Sequence, residues 1–332
     1  MLIELTHTTE LTYSEPIHES VMELRVCPAQ ASDQVRLSFD LAIGPAAQVQ
    51  GYFDWLDNHV HAFSIHGYHD RIRIAATSLV QTDKPSRSLD DLEQLPGTYP
   101  LDDAVDADYT LFDFLDLKKP IADSGALRAI AADVNAQPGE PLGVVVRRAM
   151  GLVKSRFEYV QGVTTSATPV AEFLEHGRGV CQDFTHAFIG ILRCLNIPAR
   201  YVSGIVHADE ESEATRYRGS RETHAWVEVY FPNNSGGGEW IGVDPTNGCC
   251  AGPDFIKVAV GRSFSDVPPN RGVYRGSGKE SIDVSVTTRR LPSVPPELTA
   301  ERFRKLNVPV RDAPTPILVG GGQQQQQQQQ QQ

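Results

Sequence analysis

The chain has 332 residues, 40% of them hydrophobic, with a formal net charge of -12 and a pI near 5.3. That length suggests about two domains with real cores, and the acidic balance argues against nucleic acid and anionic membrane as partners. The N-terminus lacks a basic segment followed by an apolar run, and no stretch approaches the roughly 18 apolar residues of a membrane span, so neither signal peptide nor span is expected. The five cysteines are odd in number and irregularly spaced. They fit free thiols in a reducing cytoplasm better than a disulfide framework.

Residues 1–83 alternate polar and β-branched apolar positions over 1–12, 21–27, 35–43, 59–65 and 71–81, with breaks at Pro16, Pro28, Gly44-Pro45, Asp57-Asn58 and Gly67. Short strands at this spacing predict a small β-rich sandwich or barrel. Residues 84–123 are acidic and Pro-interrupted, and read as a linker that docks through Leu111, Phe112, Phe114, Leu115 and Leu117. Helices are predicted over 124–134 and 141–153, and a short one over 170–176 ending near Gly177. From Cys181 the apolar residues Phe184, Phe188, Ile191 or Leu192, and Leu195 recur at steps of three and four, a helix that should stop before Pro198.

Strands are predicted over 199–206, 224–231, 240–243, 255–260 and 282–288, with a polar, charged loop at 209–221. From Leu291 the text is Pro-rich and closes on the run Gln323–332, an expected disordered tail. The division is therefore 1–83, a β-rich domain; 84–123, a linker; 124–290, an α+β core; and 291–332, a tail.

Three residues carry candidate chemistry. Cys181 opens a helix just after Gly179, where unpaired N–H groups and the helix dipole favour a thiolate and could also hold an oxyanion. His224 opens one strand and Asp244 closes the strand that returns beside it. In an antiparallel hairpin those two ends are neighbours, the arrangement by which a carboxylate orients an imidazole toward a nucleophile. Singly, each has a plainer reading: a buried thiol, a strand-end histidine, a turn-initiating aspartate. Asp183 reads as a first-turn residue that stabilises the helix.

Four blocks occur in order: Arg178-Gly179-Val180-Cys181-Gln182-Asp183, Ile197-Pro198-Ala199-Arg200-Tyr201-Val202-Ser203-Gly204, Thr223-His224-Ala225-Trp226-Val227-Glu228-Val229-Tyr230 and Val243-Asp244-Pro245-Thr246-Asn247-Gly248. Together they resemble the bacterial transglutaminase-like family. Val267-Pro268-Pro269-Asn270-Arg271-Gly272 and the N-terminal text with His7-Thr8-Thr9-Glu10, Tyr13, Asp54 and Asn58 extend the likeness over most of 1–290. The resemblance implies an α+β, papain-like core behind a β-rich N-terminal domain. It also implies a catalytic triad with Cys181 as nucleophile, His224 as base and acid, and Asp244 as orienting carboxylate. Relatives place an aromatic or backbone oxyanion donor upstream of the cysteine, a position Tyr159 would fill.

The expected activity is attack on the amide bonds of a peptide or protein substrate through a thioester. Water would resolve it as in a protease or amidase, an amine as in cross-linking. The alternative is a non-catalytic peptide-binding module on the same fold. His59, His61, His66 and His69 raise a metal reading, but their spacing fits no zinc signature, and no cofactor or metal is expected. Nothing in the sequence sets an oligomeric state.

Overall fold

The alternating N-terminal text folds as strands, two of which run through residues that looked like breaks, Pro16 and Gly67, while Pro28, Gly44-Pro45 and Asp57-Asn58 fall at strand ends or between strands. In the computed structural model, which describes residues 1–208, 217–218, 223–295, 301–308 and 310, the first strands are β1 (Leu2–Leu24), β2 (Gln34–Gly44), β3 (Val49–Phe53) and β4 (His59–Thr82). There follow β5 (Glu158–Tyr159), β6 (Arg178–Gly179), β7 (Ala199–Val206), β8 (His224–Pro232), β9 (Gly238–Asp244), β10 (Cys249–Cys250) and β11 (Phe255–Gly261). The last are β12 (Asn270–Arg275), β13 (Glu280–Arg290) and β14 (Glu301–Lys305). The α-helices are α1 (Asp102–Ala107), α2 (Gly125–Asp133), α3 (Leu142–Arg156), α4 (Val170–His176) and α5 (Cys181–Cys194). The fold is thus α+β. It divides into a unit of 82–267, joined by Met1 and 31–34, and a unit of 2–30, 35–81 and the described residues after 267.

In the second unit β1 and β4 pair antiparallel along nearly their whole length, from Leu2↔Gln81 to Leu24↔His61. The register shifts between Thr12 and Ile17 and again between Ile17 and Glu19. Pro16 therefore falls at an irregularity inside one strand, where a missing N–H is tolerated, and does not end it. Gly67, at φ +85°, is the matching kink in β4. Along β1 the residues Ile3, Leu5, His7, Thr9, Leu11 and Tyr13 are buried while their neighbours are not, the period of two that set the strand prediction. All the strands of this unit join one seven-stranded sheet ordered β12-β1-β4-β2-β14, with β13 also on β1 and β3 also on β4.

Two boundaries need correction. The expected core of 124–290 stops at Val267, because β12 and β13 zip antiparallel onto β1, Glu19↔Arg275 and Ile3↔Arg290 marking the two registers. Alternation announces a strand but not its partner. Part of the expected disordered tail is ordered: β14 pairs parallel with β2. Residues 296–300, 309 and 311–332, with the glutamine run, lie outside the described residues, as does the predicted loop at 209–221 apart from Tyr217 and Arg218.

The other unit is built around α5. From Asp183 to Arg193 every residue of this helix is buried, as expected of a helix packed on all sides. Helices α2, α3 and α4 and the strands β7 and β8 surround it. The antiparallel sheet runs β10-β9-β8-β7-β11, and β8 at its centre is buried from His224 to Phe231. Each fully buried large apolar side chain here, such as Trp226, Phe188 or Phe231, contributes on the order of 1.5–3 kcal/mol.

The stretch read as a linker is part of this core. Leu111 and Phe114 dock as expected, Leu115 and Leu117 pack partly buried, and Phe112 faces outward. Leu92, Leu101, Val105 and Ile121, which lack helical or strand period, are buried with them. Arg193 ties the stretch down, donating to the carbonyls of Asp116 (2.7 Å), Ala199 (2.9 Å) and Arg262 (2.7 Å). None of the described helices is long and apolar enough to cross a membrane.

Candidate active site

The site begins with the entry into α5. Gly177, in the left-handed conformation at φ +69°, ends α4. The two-residue strand β6 then pairs with β5, Tyr159 beside Gly179, and delivers Cys181 as the first residue of α5. The Asp183 carboxylate folds back to accept from the Val180 N–H (2.8 Å) and from the Thr164 hydroxyl (2.6 Å), one arm of a capping box. Burial pushes this carboxyl up, against those two hydrogen bonds.

A side chain at Gly179 would meet that carboxylate, since a Cβ there would lie 2.4 Å from its Oδ2. The glycine is thus required by the cap. The N–H groups of Asp183 and Phe184 go to the Val180 carbonyl (3.0 and 3.2 Å). Those of Cys181 and Gln182 have no acceptor among the described residues. Gln182 instead spends its side-chain amide on the Ser166 carbonyl (2.9 Å), pinning the preceding Thr/Ser loop.

His224 and Asp244 meet as the hairpin geometry predicts. The His224 Nε2–H donates to Asp244 Oδ2 at 2.8 Å, and the side chains of both are fully buried. The ring packs in a cluster with Trp226 and Phe255, its centroid 6.3 Å from each. Trp226 is itself admitted by Gly204, where a Cβ would sit 2.2 Å from the indole. The second ring nitrogen, Nδ1, is buried and makes no hydrogen bond of ordinary geometry. Cys181 is the group that acts on the ring beside Asp244.

Burial alone would lower the basicity of His224. The Asp244 charge and hydrogen bond, helped by the Cys181 side chain, outweigh it and push the ring up to about 10. Burial likewise opposes ionisation of Asp244, and His224 with Asn247 overcomes it and holds the carboxyl below its usual range.

Asp244 is saturated with donors. Its Oδ1 accepts from the N–H groups of Thr246 (2.8 Å) and Asn247 (3.2 Å), and its Oδ2 accepts from Asn247 Nδ2 (2.6 Å) as well as from His224. Asn247 was not singled out in the sequence; only its place two residues after Asp244-Pro245 hinted at it. Tyr159 lies alongside Gly179 with the Arg218 guanidinium 5.4 Å over its ring.

The histidines near the N-terminus go elsewhere. His59 and His61 pack against each other at a tilt, 4.3 Å apart, His66 is exposed, and His69 bonds to Ser20 (3.0 Å). Among the described residues no group of three or more His, Cys, Asp or Glu has the arrangement to hold a metal. The five cysteines are free thiols.

The chain is similar to known proteins in sequence and in fold. Residues 128–245 match the family model of the transglutaminase-like superfamily, and residues 3–81 that of the bacterial transglutaminase-like N-terminal region. An uncharacterized protein of Mycobacterium leprae is 30% identical over 293 residues, covering 87% of this chain and 99% of its own. An uncharacterized protein of Mycobacterium tuberculosis strain H37Rv is 34% identical over 293 residues, covering 85% and 90%. Among solved structures, a candidate cysteine protease from Cytophaga hutchinsonii superposes with a TM-score of 0.67 at 20% identity, over 89% of this chain and 93% of that one. That likeness is one of fold.

Proposed function

The chain belongs to the transglutaminase-like superfamily, and from that premise we propose that it is a cysteine enzyme acting on amide bonds of peptides or proteins through a thioester. The observation that supports this best is the buried His224–Asp244 pair, bonded at 2.8 Å, with Cys181 acting on the same ring from the tip of α5. All three positions are filled, which a module that had abandoned chemistry has no need to keep.

In this reading His224 takes the Cys181 proton and, held up to about 10, keeps it as the sulfur reacts. The sulfur attacks the amide carbonyl carbon, forming a C–S bond, and the carbonyl π electrons move to oxygen. That oxyanion is received by the N–H groups of Cys181 and Gln182, which have no acceptor among the described residues. The C–N bond then breaks and the amine leaves with the His224 proton. Water or a second amine, deprotonated by the now neutral ring, attacks the thioester and releases the thiolate. Asp244 stays ionised throughout and stabilises the imidazolium. Water as acceptor gives a hydrolase, an amine a transferase.

The test has two stages. Iodoacetamide labelling followed by mass spectrometry should modify Cys181 fastest of the five cysteines below neutral pH, and His224→Ala should abolish that preference. Uniform slow labelling of all five would overturn the reading. Peptide panels with and without a primary amine, analysed by mass, then separate cleavage from amine incorporation.

A further inference from the structure

We propose that Asn247 is a positioning residue of this site, whose side-chain amide clamps the Asp244 carboxylate so that His224 stays aimed at Cys181. The proposal rests on the triad reading above, and goes beyond it by adding a fourth residue that touches neither substrate nor sulfur.

The orientation of the amide is settled by its partners. Asn247 Oδ1 accepts from the Arg218 backbone N–H at 2.9 Å. A backbone N–H can only donate, so the oxygen must face Arg218 and the NH2 group must face Asp244. The resulting Nδ2–H···Oδ2 bond, 2.6 Å, is the shortest of the hydrogen bonds to this carboxylate and falls on the same oxygen that holds His224. The residue's own N–H binds the other oxygen. The two contacts from one residue fix the carboxylate plane, and through it the imidazole.

A plain turn role would not require this side chain. The turn after β9 is already closed by the Gly248 N–H on the Asp244 carbonyl (2.7 Å), and the Asn247 carbonyl is held by Lys154 Nζ (3.0 Å). Both contacts are made by or to the backbone and survive any substitution of the amide. What the amide alone supplies is a donor to Oδ2 and an acceptor for Arg218, which anchors Arg218 beside Tyr159.

Asn247→Ala removes both arms. Asn247→Leu is similar in size and uncharged, so it removes both arms while keeping the side-chain volume and placing no second carboxylate beside Asp244. The readout is the rate of Cys181 alkylation by iodoacetamide across about pH 5 to 11, which spans the ordinary thiol range and the raised value of His224, alongside peptide turnover and a thermal melt. Both variants should slow alkylation near neutral pH by roughly ten-fold and move the acid limb of the profile upward by about one pH unit. Turnover should fall in kcat with KM unchanged.

A wild-type profile in Asn247→Leu overturns the proposal while leaving the triad reading intact. Wild-type protein whose Cys181 labels no faster than that of His224→Ala overturns the triad reading and the proposal with it. If Asn247→Ala melts early, Asn247→Leu, which keeps the side-chain volume, carries the test.

Discussion

His224 and His61 are both withdrawn from water, one in the unit with the five-stranded sheet and the other in the unit with the seven-stranded sheet, and they are driven to opposite charge states. His61 stacks on Phe39 at 4.9 Å and meets His59 at a tilt at 4.3 Å, with Phe303 at its edge, and neither ring nitrogen has a hydrogen-bond partner among the described residues. Burial lowers its pKa to about 3, and the charges on His59 and Arg36 push the same way. His224 suffers the same desolvation but faces Asp244. A full charge pair about 4 Å apart is worth about 4 kcal/mol at an effective dielectric of about 20, equivalent to roughly three pKa units; with the Asp244 hydrogen bond and the Cys181 side chain acting the same way, the sign reverses.

His186 lies between these cases. It is on α5 with Cys181, yet its Nε2 accepts from the Phe264 N–H (3.0 Å), which requires an unprotonated nitrogen, and burial takes it down to about 3. The carboxylate, not burial or proximity to the nucleophile, separates a histidine that holds a proton from one that packs as an aromatic ring.

Removing that carboxylate should therefore make His224 resemble His61, and this is the largest effect expected. Asp244→Ala should lower turnover by about 10⁴-fold and destabilise the fold by roughly 3–5 kcal/mol if the ring stays charged. The imidazole resonances of His224 should titrate below the ordinary histidine range. A ring still protonated at neutral pH in that variant would break the comparison.

The second test works from the other side. His7 and His61 are depressed to about 4 and about 3, each chiefly by burial. A depressed histidine is neutral when folded and takes up its proton on unfolding. The stability it lends is present above the unfolded pKa and falls away as pH drops from 6.5 toward those values. His61→Phe should remove a loss on the order of a few kcal/mol from the acid unfolding curve while changing little at pH above 7. An unchanged acid limb would mean that His61 already protonates in the folded state. His224 has the reverse sign: its contribution is complete below 6.5 and fades as pH rises toward about 10.

A smaller effect probes the cap that presents Cys181. Gly179→Ala forces a methyl into the Asp183 carboxylate and should cost about 1–3 kcal/mol, read by chemical denaturation, with slower alkylation of Cys181. The smallest concerns His69, whose two nitrogens are satisfied by neutral groups, Ser20 Oγ at 3.0 Å and the Gly67 carbonyl at 2.9 Å. Ser20→Ala should cost about 1 kcal/mol without the steep pH dependence of either extreme. A large acid-dependent loss would show that His69 is charged.

Much of this was legible in the sequence because it is local. The first residue of α5, both ends of β7 and the start of β8 fall where capping, period and proline placed them, and the His224–Asp244 contact follows from hairpin geometry alone. What was not legible is non-local. Nothing in the period of residues 270–290 says that they pair with residues 3–24 and not with β11. Nothing in the acidic text of 84–123 marks Leu92 or Val105 as core, since each is the one buried residue of a helix only five or six residues long, too short to show a period. Asn247 was missed because its work is done by one side-chain amide within a turn, and turns favour asparagine for many reasons.

The return of β12 and β13 to β1 gives synthesis an unusual order. As the chain emerges, β1 can cover one edge with β4 early, but its other edge waits until about residue 290 has been made, after the whole of the unit that carries Cys181. At roughly 5–20 residues per second, that edge stays bare for on the order of ten seconds or more, a template for stray pairing. A nascent chain stalled near Val267 would hold every candidate catalytic side chain and still be the species most in need of a chaperone.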